Sequence, residues 1–264
     1  MRGEGSARVV RALDPDLRPA EAPAPVTAAG RLLRIASYNI HSAVGLDRRC
    51  SPARIVAVLK EIDCDVLALQ EVDNQRGETA DSTQLEYFSQ VLGMYAVPGL
   101  RIVRHSGEYG NAILSRIPVL SVERHDLSYS RYEPRGALDV GLGIGERQLR
   151  VIAVHLGLRR AERRDQWQRL MQAIAAGPPE MPTVLLGDMN EWLPCSVTLK
   201  ETHRLFGEPP APAAFPSFAP CLRLSRIWVR PRDSLLSLCV HRSRLARIAS
   251  DHLPLKAVID VDRL

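Results

Sequence analysis

Short apolar runs that end in polar residues alternate with helix-like segments along most of this chain. The run LLRIASYNI at 32–40 has the composition of a buried strand. A helix signature follows, with Ser51 as the cap, Pro52 in the first turn and an apolar face that continues to about Ile62. Arg160–Ala176 carries a second, longer helical pattern. Because strands and helices interleave in both halves, the sequence predicts an α/β or α+β class with several antiparallel strands.

The composition is that of a globular domain. Of the 264 residues, 45% are hydrophobic and 25% are charged, which is enough to bury a core without disulfide or metal staples. The stretch 19–30 is rich in Ala and Pro and cannot hold a helix. We therefore predict a disordered tail over residues 1–30 and one domain over residues 31–264.

Several classes of protein are disfavoured. No run of about 18 apolar residues occurs, so no transmembrane segment is expected. The charged N-terminal stretch lacks the apolar core of a secretory signal, which predicts a cytoplasmic protein. No obligate protein partner is evident from the sequence. Five scattered cysteines without C-x-x-C spacing argue against a disulfide framework or a cysteine-rich zinc site. The net charge of +5 permits an acidic substrate without requiring nucleic acid.

Polar residues of similar type stand at the ends of several predicted strands. They are Asn39 and His41, Glu71, His155, Asp188 with Asn190, and the cluster Ser250, Asp251 and His252. A side chain at a strand end is held by a rigid scaffold and faces a loop rim. Because these ends all carry Asn, Asp, Glu or His, we expect them to converge on a site for a hard cation and a phosphate.

The chemistry of phosphoester cleavage explains these residue types. Mg²⁺ prefers oxygen ligands, which Glu71 and Asp251 can supply. His155 and His252 can contact the phosphate or move a proton, and Asp188 with Asn190 can orient a water.

Eight short motifs in this order resemble the endonuclease/exonuclease/phosphatase superfamily, which has the DNase I-like fold. They are SYNIH (37–41), LALQEVD (67–73), YGNAILSR (109–116), PRGAL (134–138), VHLG (154–157), LLGDMN (185–190), FPS (215–217) and SDHLP (250–254). The resemblance spans about residues 32–262. It implies a four-layered sandwich of two mixed β-sheets flanked by helices. It also implies hydrolysis of phosphoester bonds that depends on Mg²⁺, with Mn²⁺ as the alternative metal.

The resemblance also implies roles for single residues. Glu71 would be the principal metal ligand, with Asn39 and Asp251 close by. His155 would steady the scissile phosphate. Asp188 would align or activate the attacking water.

Further roles follow in the same way from the matched motifs. Asn190 would hydrogen-bond the phosphate, and His252 would be a general base or would stabilise the transition state. Arg135 and Asn111 match recurrent positions for phosphate contact and scaffold. His41 is open to two interpretations, as a residue that lines the pocket or as a structural one.

One position departs from the family pattern. The family usually has an Asp that hydrogen-bonds the catalytic His, in a segment similar to 223–227, but Ser225 stands there in this chain. A hydroxyl carries no negative charge, so His252 should be less basic and less firmly oriented. Two alternatives stay open. The chain is either a phosphodiesterase or a weakened member that binds phosphate without turnover. For the phosphodiesterase, nucleic acid is preferred as substrate over phospholipid or sugar phosphate, and phosphomonoesters are further candidates.

Overall fold

A computed structural model describes residues 32–73, 83–99, 102–104 and 107–264. Within this part of the chain, no helix is both long enough and apolar enough to cross a membrane. The tail predicted over residues 1–30 lies outside the described residues, so its disorder stays a prediction.

The described residues form strands, α-helices and short 3₁₀ turns. The strands are β1 (Leu32–Asn39), β2 (Val66–Asp73), β3 (Tyr95–Pro98), β4 (Ile102–Arg104), β5 (Gly107–Ser115), β6 (Val119–Asp126), β7 (Gly136–Ile144), β8 (Arg147–His155), β9 (Thr183–Asp188), β10 (Ser225–Arg230), β11 (Leu235–Val240) and β12 (Leu255–Asp260). The helices are α1 (Pro52–Ile62), α2 (Gln84–Leu92), α3 (Arg160–Ala176), α4 (Val197–Phe206) and α5 (Ala246–Ala249).

Two mixed sheets contain these strands. The first sheet has the order β11-β12-β1-β2-β5-β3, with β4 paired to β5. The second has the order β10-β9-β8-β7-β6. The first sheet contains one parallel pair, β1 with β2, and the second contains one parallel pair, β8 with β9. All other neighbouring strands in the two sheets are antiparallel.

The alternation of side chains along β8 shows how the layers pack. Val151 and Ala153 belong to the core between the two sheets, whereas Ile152 and Val154 pack on the other face with Trp167 of α3. Helix α1 covers the outer face of the first sheet in the same way, through its buried apolar side. The predicted four-layered sandwich is therefore confirmed.

The two parallel pairs decide where the polar strand ends meet. Asn39 lies opposite Gln70 in the β1–β2 pair, and His155 lies opposite Asp188 in the β8–β9 pair. Because the strands of each pair run in the same direction, their polar carboxyl ends lie at the same edge of the sheet. The face-to-face packing of the sheets then brings the two edges together.

A buried ion pair ties the second sheet to the end of α3. Arg150 donates to both carboxylate oxygens of Asp139, with its Nη2 2.6 Å from Oδ2, and it also donates to the carbonyls of Ala173 and Ile174. The Arg150 and Asp139 side chains are only 8% and 7% exposed. Arg150 thus satisfies the last carbonyls of the helix and neutralises a buried carboxylate at once.

We expect Arg150→Met to lower the free energy of unfolding by about 3–5 kcal/mol, because the substitution leaves the buried carboxylate of Asp139 without its guanidinium partner and with only the His125 ring at 3.4 Å. Urea unfolding measures this cost. The control is Arg169→Met, which removes a more exposed pair with Asp165 and should cost less than about 1 kcal/mol. Equal losses in the two variants would contradict the role given to the buried pair.

Candidate active site

A break in the β2–β5 pairing aims Glu71 into the site. The register of the two strands shifts between Leu69 and Val72, and Glu71 adopts a left-handed backbone with φ of 60°. Such a bulge bends the strand and redirects a side chain, and a non-glycine residue in this conformation is costly unless its surroundings hold it. The strained backbone therefore belongs to Glu71, the carboxylate that the sequence analysis predicts as the principal metal ligand.

The backbone of the GDMN segment is shaped in a similar way. Gly187 has φ of 145°, and a Cβ at this position would overlap the backbone of Val154 on β8. Asn190 has φ of 48°, a conformation that asparagine tolerates better than most residues. The glycine lets β9 approach β8 closely, and the turn after it presents Asp188 and Asn190 at the strand end.

Asn39 connects two carboxylates. Its Nδ2 donates to Glu71 Oε1 at 2.9 Å and to Asp188 Oδ2 at 3.1 Å. Its Oδ1 accepts from the backbone N–H of His41 at 3.0 Å. The amide therefore faces the carboxylates with its nitrogen, and Asn39 would have to turn in order to offer an oxygen to a metal.

Asp188 is the most heavily contacted group of the site. Besides Asn39, its carboxylate accepts from the backbone N–H of Asn190 at 3.0 Å, and its Oδ2 lies 3.5 Å from His252 Nε2 and 3.8 Å from His155 Nε2. Burial alone would raise the pKa of Asp188, but both imidazoles and the two hydrogen bonds hold it below the usual value. The group therefore stays a carboxylate.

His155 is held as a neutral ring. Arg135 donates from Nη1 to His155 Nδ1 at 2.8 Å, and a guanidinium can only donate, so the ring proton stands on Nε2. Burial, followed by the charge of Arg135, lowers the pKa of His155 to about 3. Glu133 holds the other end of the guanidinium at 3.3 Å. The Nε2–H is thus a hydrogen-bond donor that points toward Asp188 and Glu71, at 3.8 and 4.0 Å.

Asn190 stands beside the same histidine nitrogen. Its Nδ2 donates to the carbonyl of Leu156 at 2.8 Å and lies 3.1 Å from His155 Nε2, where two N–H groups face each other and form no hydrogen bond. The side chain is buried, and its backbone N–H contacts Asp188. Asn190 therefore joins the backbone that follows His155 to the carboxylate of Asp188.

His252 lacks a partner on one nitrogen. Its ring packs against Phe215 with centroids 4.6 Å apart, and its Nε2 faces Asp188. The buried Nδ1 has no hydrogen-bond partner among the described residues. Ser225 is buried and lies directly opposite Asp188 in the β10–β9 pair. The departure noted in the sequence thus coincides with an unsatisfied histidine.

Three other predicted residues lie at the margin of this cluster. Asp251 accepts from Ser250 Oγ at 3.3 Å, and the same hydroxyl donates to the carbonyl of Asn39 at 2.8 Å. Asn111 donates to the carbonyl of Gly136 at 3.0 Å, which ties β5 to β7. The His41 ring contacts the carbonyl of Val44 through Nδ1 at 3.0 Å. The contacts of Asn111 and His41 are with the scaffold.

Tyr109 and Glu133 belong to the site although sequence reasoning gave them no role. The Tyr109 hydroxyl hydrogen-bonds the Glu71 side chain, and burial together with the carboxylates of Glu71 and Glu133 raises its pKa well above the usual value. It is therefore a permanent donor to Glu71. Both residues stand close to assigned motif positions, Tyr109 two residues before Asn111 and Glu133 two before Arg135, but only the structure reveals their contacts.

The donor set around Glu71 fits a hard divalent cation. The Glu71 side chain is 20% exposed, whereas that of Asp188 is 1% exposed, so Glu71 is the carboxylate that an ion can reach. Asp251 offers a second carboxylate near the end of β1. Oxygen ligands of this kind, completed by water and substrate phosphate, suit Mg²⁺.

A separate group of candidate ligands lies on strands β6 and β7 of the second sheet. Glu123, His125 and Asp139 bring three ligand atoms within 4.8 Å of one another. However, both oxygens of Asp139 already accept from Arg150. Because that cation compensates the carboxylate, the group is better described as part of the buried ion-pair network.

The histidine predicts a pH effect on stability. Folded His155 resists protonation until about pH 3, whereas the unfolded residue takes up a proton near pH 6.5. Below about pH 6.5 the unfolded state binds more protons than the folded state, so the stability that neutral His155 contributes decreases as the pH is lowered. We expect the difference in unfolding free energy between wild type and His155→Gln to shrink by up to about 1.4 kcal/mol per pH unit. Urea titrations at pH 7, 6 and 5 test this, and parallel profiles would contradict it.

Comparisons with known proteins agree with this geometry. A model of the Endonuclease/Exonuclease/phosphatase family matches residues 36–252. The chain is 29% identical over 244 residues to the uncharacterized protein YbhP of Escherichia coli K12, covering 86% of this chain and 95% of that protein. Among solved structures, an endonuclease/exonuclease/phosphatase from Beutenbergia cavernae has a TM-score of 0.68 at 22% identity, covering 88% of this chain and 72% of its own.

The catalytic domain of human Nocturnin, solved with a bound sulfate anion, is similar in fold. Its TM-score is 0.64 at 20% identity, and the match covers 86% of this chain and 92% of that one. Members of the matched family are generally metal-dependent phosphoesterases and nucleases. The family match spans every strand end that contributes to the site, from Asn39 to His252, and the chain belongs to the endonuclease/exonuclease/phosphatase family.

Proposed function

We propose that this protein is a Mg²⁺-dependent phosphodiesterase that cleaves its substrate by in-line attack of water. The observation that carries the proposal is the arrangement around Asp188. One buried carboxylate lies within 3.8 Å of two imidazoles and shares the Asn39 amide with the accessible carboxylate of Glu71. Such a site can hold a cation, a phosphate and a water side by side.

Glu71 would hold the metal, with Asp251 as the second carboxylate, and Tyr109 would fix the orientation of Glu71. A bound Mg²⁺ supplies charge neutralisation for the phosphate. Asn39 serves chiefly as a positioning residue in its present orientation, because its nitrogen joins Glu71 to Asp188.

His155 would bind a non-bridging phosphate oxygen through its Nε2–H. Arg135 secures this role, since its hydrogen bond to Nδ1 keeps the proton on Nε2 and its charge keeps the ring neutral. Arg135 thus supports the phosphate contact through the histidine. Asn190 would add a contact from its side-chain amide to the same phosphate.

Asp188 would orient the attacking water as a hydrogen-bond acceptor. Its low pKa makes it a weak base, which suits alignment of the water better than full removal of its proton. His252, whose Nε2 faces the same carboxylate, would take up the proton or stabilise the pentavalent transition state. The water oxygen bonds to phosphorus as the ester P–O bond breaks; the water gives up one proton, and the leaving oxygen takes one up from solvent, so that the net change of protons is zero.

Nucleic acid is the substrate class that we propose, with phospholipid, sugar phosphate and phosphomonoesters as alternatives. A second candidate function is phosphate binding with little or no turnover. The unpartnered Nδ1 of His252 favours this second candidate, because no carboxylate among the described residues binds that nitrogen to orient the ring for proton transfer.

Hydrolysis of bis-(p-nitrophenyl) phosphate with Mg²⁺ or Mn²⁺ tests the proposal. We expect Glu71→Ala and His252→Ala to lower kcat/KM by about 10²-fold or more, which is the usual range for one acid–base or electrostatic group. Removal of the metal with a chelator should abolish turnover reversibly. Glu123→Ala is the matched control, a carboxylate from the separate group on the second sheet, and should retain activity. Equal turnover in wild type and Glu71→Ala would refute the proposed metal site.

The Ser225→Asp variant separates the two candidate functions. If the enzyme is active but weakened, a carboxylate at 225 should raise kcat about tenfold or more and move the limb of the pH–rate profile that His252 governs to higher pH, since it would orient and charge-stabilise His252. The thermal unfolding midpoint is measured alongside, because position 225 lies opposite buried Asp188. A folded variant that still binds Mg²⁺ but stays inert would favour the binding function.

A further inference from the structure

A cavity of about 380 Å³ opens next to the site and takes no part in the functions assigned above. It is lined by the first turns of α3, with Arg160, Ala161 and Arg164, by Glu191, and by the start of α4 at residues 196–198. Its two arginines are suited to an anionic ligand.

The two arginines are cations without an acidic partner in the described parts of the chain. Both are exposed, and neither Arg160 nor Arg164 takes part in an ion pair there. Neighbouring Arg163 and Arg169 do have acidic partners, Glu191 and Asp165. A guanidinium left free in a cavity wall is suited to bind phosphate in a bidentate manner.

The carboxylate in the cavity wall is already compensated. Glu191 accepts from Arg163 Nη2 at 3.3 Å, from the backbone N–H of Leu193 at 3.1 Å and from Thr198 Oγ1 at 3.2 Å. Its side chain is 6% exposed. The charge that remains uncompensated in the lining is therefore the positive charge of Arg160 and Arg164.

Two helices also begin at this cavity. In α3, the hydrogen bond from the N–H of Arg163 to the carbonyl of Arg159 belongs to the first turn. The N–H groups of Arg160 and Ala161 come before it and have no acceptor within the helix. In α4, the N–H of Leu199 donates to the Ser196 hydroxyl. The N–H groups of residues 197 and 198 come before it and likewise have no acceptor within the helix. Both helix dipoles add positive potential to that of the arginines.

The cavity adjoins the place where the scissile phosphate would lie. Glu191 directly follows Asn190, whose side chain contacts His155. Trp192, 50% exposed, occupies the same loop between Asn190 and the cavity residue Ser196. A chain of phosphates that passes through the site can therefore continue into the cavity, with an aromatic surface beside it.

We propose that this cavity binds a second phosphate of the substrate, next to the one that is cleaved, and that the substrate is single-stranded nucleic acid. The inference rests on the proposed phosphodiesterase function and narrows its substrate from nucleic acid in general to a single strand. Arg160 and Arg164 hold the neighbouring phosphate, and exposed Trp192 offers a face on which a base can stack. A phospholipid with a single phosphodiester would leave the arginines unused.

Binding of a fluorescein-labelled twelve-nucleotide oligo(dT) tests the subsite directly. All proteins carry His252→Ala to suppress cleavage, and fluorescence anisotropy is measured in Mg²⁺ over a range of salt. We expect the pair Arg160→Ala with Arg164→Ala to raise Kd at least tenfold. The slope of log K against log salt should fall by about 0.7, the value for one lost phosphate contact on a single strand. Arg169→Ala, on the same helix, should bind as the parent does.

Turnover provides the second readout, in proteins with His252 intact. The ratio of kcat/KM for the oligonucleotide to kcat/KM for bis-(p-nitrophenyl) phosphate, which has no second phosphate, should fall at least tenfold in the double variant. Unchanged oligonucleotide binding and an unchanged ratio would overturn the subsite even if the protein is an active phosphodiesterase. Oligonucleotide binding that depends on both arginines, without turnover of either substrate, would refute the proposed function and retain the subsite.

Vesicles of phosphatidylcholine with phosphatidylinositol bisphosphate distinguish the source of the second phosphate. We expect no binding of these vesicles that depends on Arg160 and Arg164. Binding to vesicles that the double variant loses, with oligonucleotide binding unaffected, would overturn nucleic acid as the substrate and assign the cavity to a lipid headgroup.

Discussion

The buried carboxylate of Asp188 is the group on which the rest of the site depends. It stands at the end of β9, and the closeness of β9 to β8 requires glycine at 187. Asn39 and Asn190 donate to it, and both His155 and His252 face it. A charge so completely removed from water is tolerable only because these partners replace the lost hydration. The same interactions that keep the carboxylate ionised therefore place the proposed catalytic groups around it.

Each histidine of the site has a different electrostatic setting. Arg135 fixes the tautomer of His155 and disfavours its charged form, so that ring serves as a neutral donor. His252 has Asp188 on one side and, among the residues that the structure describes, no partner on Nδ1. The two imidazoles close to one carboxylate thus differ: His155 is a fixed neutral donor, and His252 keeps one ring nitrogen without a partner among the described residues.

Much of the fold and the identity of the central residues could be predicted from the sequence. Asn39, Glu71, His155 and Asp188 were expected to converge because each ends or nearly ends an apolar run, and the structure does bring them together. Contacts that join distant strands could not be predicted. Tyr109 donates to Glu71 across the β2–β5 pair, and whether its hydroxyl reaches that carboxylate depends on a bulge that no local pattern reveals.

The sequence by itself determined the alternation of strands and helices, the order of the motifs and the residue types available for chemistry, because apolar periodicity and turn residues act over a few positions. Only the tertiary structure decided which atom of each side chain faces the site. The Asn39 amide presents its nitrogen, Arg135 binds a histidine, and the free arginines of α3 meet the start of α4 in one cavity. These outcomes depend on how two sheets and their helices pack, since they join groups far apart in the chain.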